Sequence, residues 1–171
     1  MIPNIITKLQ DKQSPIKVLI ADDNREVCDS MEKTLETNLE LYGLTKQQVQ
    51  IRKVFTEHAY EHGCTEINHG FIPDICIFDL VFNGYTGVDL YRYLIEKTDS
   101  KNIWLCIYTG VEKKYEKRKD AESLASQMQG RVEIVAKPKI DEITGWFNKI
   151  LESQYDLTKI IDDGPDFFDM L

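Results

Sequence analysis

Five polar residues close four short runs that are rich in apolar or β-branched side chains. Asp22 and Asp23 follow KVLIA, Asp79 follows ICIF, Thr109 follows IWLCIY and Lys137 follows VEIVA. If these runs are strands of one sheet, all five residues collect at one edge of it. Three carboxylates crowded into a partly desolvated site repel one another strongly. A hard divalent cation with a preference for oxygen, Mg²⁺ most naturally, relieves that repulsion. A carboxylate beside such a cation, with a hydroxyl and an ammonium nearby, is equipped to accept a phosphoryl group. The cation and Lys137 neutralise the equatorial oxygens, and Thr109 can donate to one of them.

The elements that must position these residues follow from the apolar pattern. Strands are expected at Lys17–Ala21, Val49–Val54, Ile75–Phe78, Ile103–Tyr108 and Val132–Ala136. The first, third and fourth are nearly continuous apolar runs, as in strands buried on both faces of a parallel sheet. The second and fifth are interrupted by charge, as edge strands often are. Val27, Met31, Leu35 and Leu39 give a helix from Glu26 to Leu41, with Asn24 as its N-cap. Further helices are expected at Thr56–Asn68, where Gly63 acts as a breaker, and at Thr86–Lys97, Glu112–Met128 and Ile140–Leu151. An extra turn is expected around Tyr42–Gln48. The alternation predicts an α/β fold with a doubly wound, five-stranded parallel sheet in the flavodoxin-like order 2-1-3-4-5. Such sheets bind ligands beyond the carboxyl ends of their strands, where the strand order reverses.

Composition narrows the function classes. The chain has 171 residues, of which 42% are apolar and 29% charged, and a net charge of −8. These values suit a globular domain, and the surplus of acid argues against nonspecific nucleic-acid binding. No apolar run is long enough to span a bilayer, and the first residues lack a signal-peptide core. Cys28, Cys64, Cys76 and Cys106 have no CxxC spacing, which reads as reduced thiols in a cytoplasmic protein. The expected division is an N-terminal arm (1–15), one domain (16–153) and an acidic-apolar tail (154–171). Over 156–171, Asp156, Asp162, Asp163, Asp166 and Asp169 face only Lys159, a net of −4. A tail of this composition suits plain disorder or a short docking motif equally well.

Four segments, VLIADDN, PDICIFDL, IYTG and VAKP, together with Gly87 in YTGVDL, resemble the response-regulator receiver domain of two-component signalling. The resemblance covers residues 16 to 153 and is to the stand-alone type, since 33 residues after Pro138 leave no room for an output domain. It implies that Asp79 accepts a phosphoryl group from a histidine of a sensor kinase or phosphotransfer protein. It implies that Asp22, Asp23, Asp79 and the backbone carbonyl of Val81 hold Mg²⁺. Thr109 is then the switch hydroxyl, Lys137 the phosphate-pairing lysine, and Pro138 the residue of a cis-prolyl turn. Such a module is not an enzyme beyond self-phosphorylation from a donor and slow self-dephosphorylation. Its output is contact with a downstream protein that the sequence does not name. A homodimer and a phosphorelay role are both compatible with it.

Three departures from the family pattern stand out. Ile134 occupies the place of an aromatic switch residue and cannot swing a ring between buried and exposed positions. Asn83 and Thr86 replace a common proline and a common acidic residue, so the loop after Asp79 should be reshaped around an Asn83–Gly84 turn. Val81 and Val111 flank the path of a hydrolytic water in the family, and aliphatic side chains cannot orient that water.

The rival from another class is a constitutive, phosphorylation-independent interaction scaffold. A metal-dependent phosphatase would need a second carboxylate soon after the nucleophile, and LVFNGYTG supplies none. A flavin module would need a phosphate-cradling loop after the first strand, where the sequence reads Asn24, Arg25, Glu26. His58, His62, Cys64 and His69 do not read as a zinc site, because Gly63 interrupts their helix and no standard ligand pair follows. Lys113, Lys114, Lys117, Arg118 and Lys119 read as a solvated face before they read as a docking surface. Trp104, Cys76 and Cys106 read as core, and Tyr91, Tyr93 and Leu94 as residues of the third helix.

Overall fold

The computed structural model describes residues 15–100, 102–128 and 130–154, so all but the last residue of the N-terminal arm and all but the first of the acidic tail lie outside the described residues. The apolar runs become β1 (Ile16–Ala21), β2 (Val49–Val54), β3 (Ile75–Phe78), β4 (Trp104–Thr109) and β5 (Val132–Ala136), all within one residue of expectation. They form one parallel sheet in the order 2-1-3-4-5. The two charge-interrupted strands, β2 and β5, are its edges. Ala21 pairs with both Val54 and Phe78, so β1 and β3 end level with each other.

Alternate residues of each buried strand face opposite cores. On one side Val18 and Ile20 pack with α1 (Arg25–Leu41) and α5 (Ile140–Gln154), through Met31, Leu35, Ile143 and Phe147. On the other side Leu19 and Ala21 pack with α2 (Ala59–Asn68), α3 (Gly87–Thr98) and α4 (Glu116–Gln127), through Ile67, Leu90, Leu94 and Leu124. Helices on both faces of a parallel sheet make the doubly wound arrangement that the alternation predicts. Asn24 caps α1 by accepting from the amides of Glu26 and Val27. A turn closed by the Gln48 amide and the Thr45 carbonyl lies within the 42–48 connection.

Four expectations need correction. Gly63 does not break α2, which runs through it. It is there because a Cβ would lie 2.8 Å from Leu90 Cδ2, so its missing side chain lets α2 approach α3. The fourth helix starts at Glu116, and residues 112–115 form a turn instead of its first coil. Arg118 is buried and pairs with Glu122 at 3.3 Å, which removes it from the solvated basic face. Trp104 is only half-buried, with the Arg131 guanidinium 4.3 Å over its ring, while Cys76 and Cys106 are core residues as expected.

Candidate functional site

Each candidate residue is fixed by the strand it ends, and for three of them the sheet's hydrogen bonding continues into the site. The Asp22 amide donates to the Val54 carbonyl (3.1 Å), that of Asp79 to the Ala21 carbonyl (2.7 Å), and that of Lys137 to the Thr109 carbonyl (2.9 Å). These bonds hold the site residues to the same platform as the core strands.

The side chains converge as the strand order requires. One carboxylate oxygen from each of Asp22, Asp23 and Asp79 lies within 4.8 Å of the others. Asp22 is buried, Asp79 is 13% exposed and Asp23 faces solvent. The Lys137 ammonium reaches across from the edge strand to both inner carboxylates, 2.6 Å from Asp22 Oδ2 and 3.4 Å from Asp79 Oδ1. It also lies 5.5 Å over the Tyr108 ring. Asp22 Oδ1 accepts from the Asn24 amide (2.8 Å), and Asp79 Oδ1 from the Leu80 amide (2.8 Å). Thr109 is buried at the end of β4, and its hydroxyl oxygen accepts from the Val111 amide at 3.1 Å. The Lys137–Pro138 peptide is cis. The direct Lys137–Asp22 bond was not foreseeable from spacing, because it joins residues 115 positions apart.

Burial and the neighbouring charges together shift Asp79, Asp22 and Lys137. Burial pushes the Asp79 carboxyl up to about 6, with Lys137 opposing and the Asp22 charge adding to the rise. Burial also raises Asp22, against its bond to Lys137. Burial alone would lower the Lys137 ammonium, but the hydrogen bond to Asp22 and the charge of Asp79 hold it above its ordinary value. An all-oxygen cluster with more negative than positive charge suits a hard divalent cation, so the residues present fit Mg²⁺. Among the described residues this is the only close group of three potential ligands. His58 and His62 gain no such partners: their ring centroids are 6.4 Å apart, and His62 Nδ1 is 3.1 Å from the Thr56 hydroxyl.

The loop after Asp79 turns at Asn83–Gly84, as its residues suggest. Val81–Phe82 pairs antiparallel with Tyr85–Thr86, with Asn83–Gly84 as the tip and Gly84 at φ +81°. Thr86, in place of an acidic residue, becomes the N-cap of α3: its hydroxyl accepts from the Asp89 amide (3.0 Å), and Asp89 Oδ2 accepts from the Thr86 amide (2.8 Å). Gly87 then passes under Asp79, where a Cβ would lie 2.2 Å from the Asp79 carbonyl oxygen. Val81 and Val111 are half-buried and share a cavity of about 490 Å³ with Gly110, Glu112 and Tyr115 at the mouth of the site. Two features gave no sequence signal: the packing role of Gly63, and a stacked pair formed by Tyr60 of α2 and Tyr85 of the hairpin.

No family model matches the sequence, and neither does any curated protein. Solved structures do. The chain is similar to the BeF3-activated DrrB receiver domain (16% identity, TM-score 0.55, 81% of this chain and 98% of that one). It is similar to the non-phosphorylated HemR receiver domain from Leptospira biflexa (14%, TM-score 0.55, 80% and 94%). A putative response regulator from Chloroflexus aurantiacus gives 21% identity and a TM-score of 0.53 over 81% and 98%. With these likenesses and its 2-1-3-4-5 sheet, the chain has the fold of response-regulator receiver domains.

Proposed function

We propose that this protein is a phosphorylation-controlled signalling module in which Asp79 accepts a phosphoryl group from a phosphohistidine of a sensor kinase or phosphotransfer protein. The convergence of three carboxylates and one ammonium at the carboxyl ends of β1, β3 and β5 carries this reading. An Asp79 carboxylate oxygen forms a bond to phosphorus while the phosphorus–nitrogen bond of the donor breaks, the electron pair returning to the imidazole. With its carboxyl near 6, most Asp79 is ionised and nucleophilic at neutral pH. Lys137 already bridges Asp22 and Asp79, so its ammonium is in place for the added phosphoryl oxygens. Thr109 offers them a hydroxyl from the adjoining strand end. Asp22, Asp23, Asp79 and the Val81 carbonyl are the residues to hold Mg²⁺, which neutralises phosphoryl charge when bound.

The output is a protein contact, reached by a shift between two arrangements of the α4–β5 face. Ile134 on β5 is half-buried and aliphatic, so the signal leaves that strand without a ring flip. That feature also favours a second reading, a constitutive scaffold with a receiver fold. Among the described residues no helix is long and apolar enough to cross a membrane. Cytoplasmic placement and the absence of nucleic-acid binding belong to the proposal, and a homodimer is compatible with it.

The full chain should gain one phosphoryl group by intact mass when incubated with Mg²⁺ and acetyl phosphate, and Asp79→Asn should gain none. No gain, together with no binding of beryllofluoride, would favour the scaffold. Val81 and Val111 should slow hydrolysis, because neither can orient a water at the acyl phosphate. Val111→Glu is therefore expected to shorten the lifetime of the phosphorylated form severalfold, followed by the decay of the phosphorylated mass. An unchanged or longer lifetime would refute this role.

A further inference from the structure

The segment between Asp79 and α3 is held from two sides. Leu80 and Phe82, on its first leg, are buried in the core beneath the sheet's helical layer. The second leg is exposed at Asn83, Gly84 and Tyr85, before Thr86 turns inward to cap α3. Tyr85 is 41% exposed, yet its ring lies on that of Tyr60 with centroids 3.9 Å apart and planes at 6°. This is a parallel aromatic stack between the hairpin and a helix that precedes it by a whole strand. Gly63, one turn beyond Tyr60, brings α2 close to Leu90 of α3 and so sets the distance at which the two rings can meet. Across the hairpin, Tyr85 pairs with Phe82 and Thr86 with Val81. A second leg held in place therefore fixes the backbone of Val81, whose side chain is only half-buried and cannot anchor it alone.

We propose that the Tyr60–Tyr85 stack is a clamp that presets the acceptor loop for cation uptake, making both tyrosines positioning residues for the Val81 carbonyl. The inference rests on the reading of Asp22, Asp23 and Asp79 as a Mg²⁺ site and adds two residues that touch neither ion nor phosphoryl group. Without the clamp the Val81 peptide samples other orientations, and cation binding must restore the productive one. An aromatic pair of this kind holds its elements with enough free energy to change an affinity about two- to tenfold.

The test is a calorimetric Mg²⁺ titration of the full chain and its variants. Tyr85→Ala and Tyr60→Ala should each weaken Mg²⁺ binding about two- to tenfold, and the double variant should be no weaker than the worse single one. Tyr85→Phe, which keeps the ring, should restore the wild-type affinity. Leu124→Ala, which opens a cavity on α4 far along the chain, should lower the urea midpoint while leaving Mg²⁺ affinity unchanged. Wild-type affinity in both alanine variants, failure of the phenylalanine variant to restore it, or an equal loss in Leu124→Ala would each overturn the clamp. A wild-type chain that does not bind Mg²⁺ at all would instead overturn the cation reading on which it stands.

Discussion

Replacing Gly87 with alanine is expected to destabilise the domain by about 3 kcal/mol or more and to weaken cation binding at Asp79 in the same step. A methyl group there would sit 2.2 Å from the Asp79 carbonyl oxygen, 2.9 Å from Phe78 Cβ and 3.2 Å from Ile107 Cδ1. The first two belong to the backbone and to the root of a fully buried side chain, so neither can rotate away. Relief must come from moving the start of α3 off the end of β3, and the Gly87 amide, bonded to the Leu80 carbonyl at 3.0 Å, moves with it. Asp79 is thereby displaced by a change that adds no charge and removes no carboxylate. Gly110→Ala is the control, since a Cβ there meets nothing within 4 Å. Urea unfolding and Mg²⁺ titration of the two variants should separate widely; equal stability for both would show that the α3 start can yield.

Neutralising Asp79 should act in the opposite direction. In metal-free buffer at neutral pH, Asp79→Asn is expected to stabilise the fold by on the order of 3 kcal/mol, while abolishing phosphoryl uptake. The carboxyl rises from 3.8 to about 6 on folding, chiefly through burial, and each tenfold gain in proton affinity is worth about 1.4 kcal/mol. A carboxyl raised in the folded state binds its proton more tightly there than in the unfolded chain. Its favourable contribution is complete below about 4 and is lost as pH climbs through about 6. The stability difference between variant and wild type should therefore be small at about pH 4, grow between about 4 and 6, and level off above. Asparagine keeps an oxygen for the Leu80 amide and leaves Lys137 its bond to Asp22, so no buried partner is stranded. Thermal unfolding across pH in the presence of a chelator measures the difference. A pH-independent difference would assign the gain to something other than ionisation, and Mg²⁺ should stabilise the wild type more than the variant.

The contrast between these two positions shows what the sequence can carry. The strand ends were legible because each run of apolar residues stops at a polar one, and a parallel sheet gathers such stops at one edge. Asp22, Asp23, Asp79, Thr109 and Lys137 could be placed on that logic without knowing a single distance. The turn at Asn83–Gly84 was likewise local chemistry. Gly63 misleads because helix propensity treats glycine as a weakness, whereas here the missing side chain is what Leu90 packs into. Arg118 misleads as one of a basic run because a string of like charges does not reveal which member turns inward to Glu122. The Tyr60–Tyr85 stack joins residues whose contact depends on how two helices settle against each other, and no periodicity announces it.

The amide bonds that run from Asp22, Asp79 and Lys137 into neighbouring strands have a consequence for how information leaves the pocket. The Asp22 and Asp79 N–H groups stand at the ends of two inner strands, so they are expected to exchange with heavy water only when the sheet opens. The main chain under the pocket is in effect an anvil: a charge arriving on it meets a surface that does not give. Displacement is left to the side-chain torsions of Thr109 and Lys137, the hairpin, the turn before α4 and the α4–β5 face at the sheet's edge. A deuterium-uptake map should accordingly show a fixed floor beneath Asp22 and Asp79, with the response in the loops around them and on the α4–β5 face.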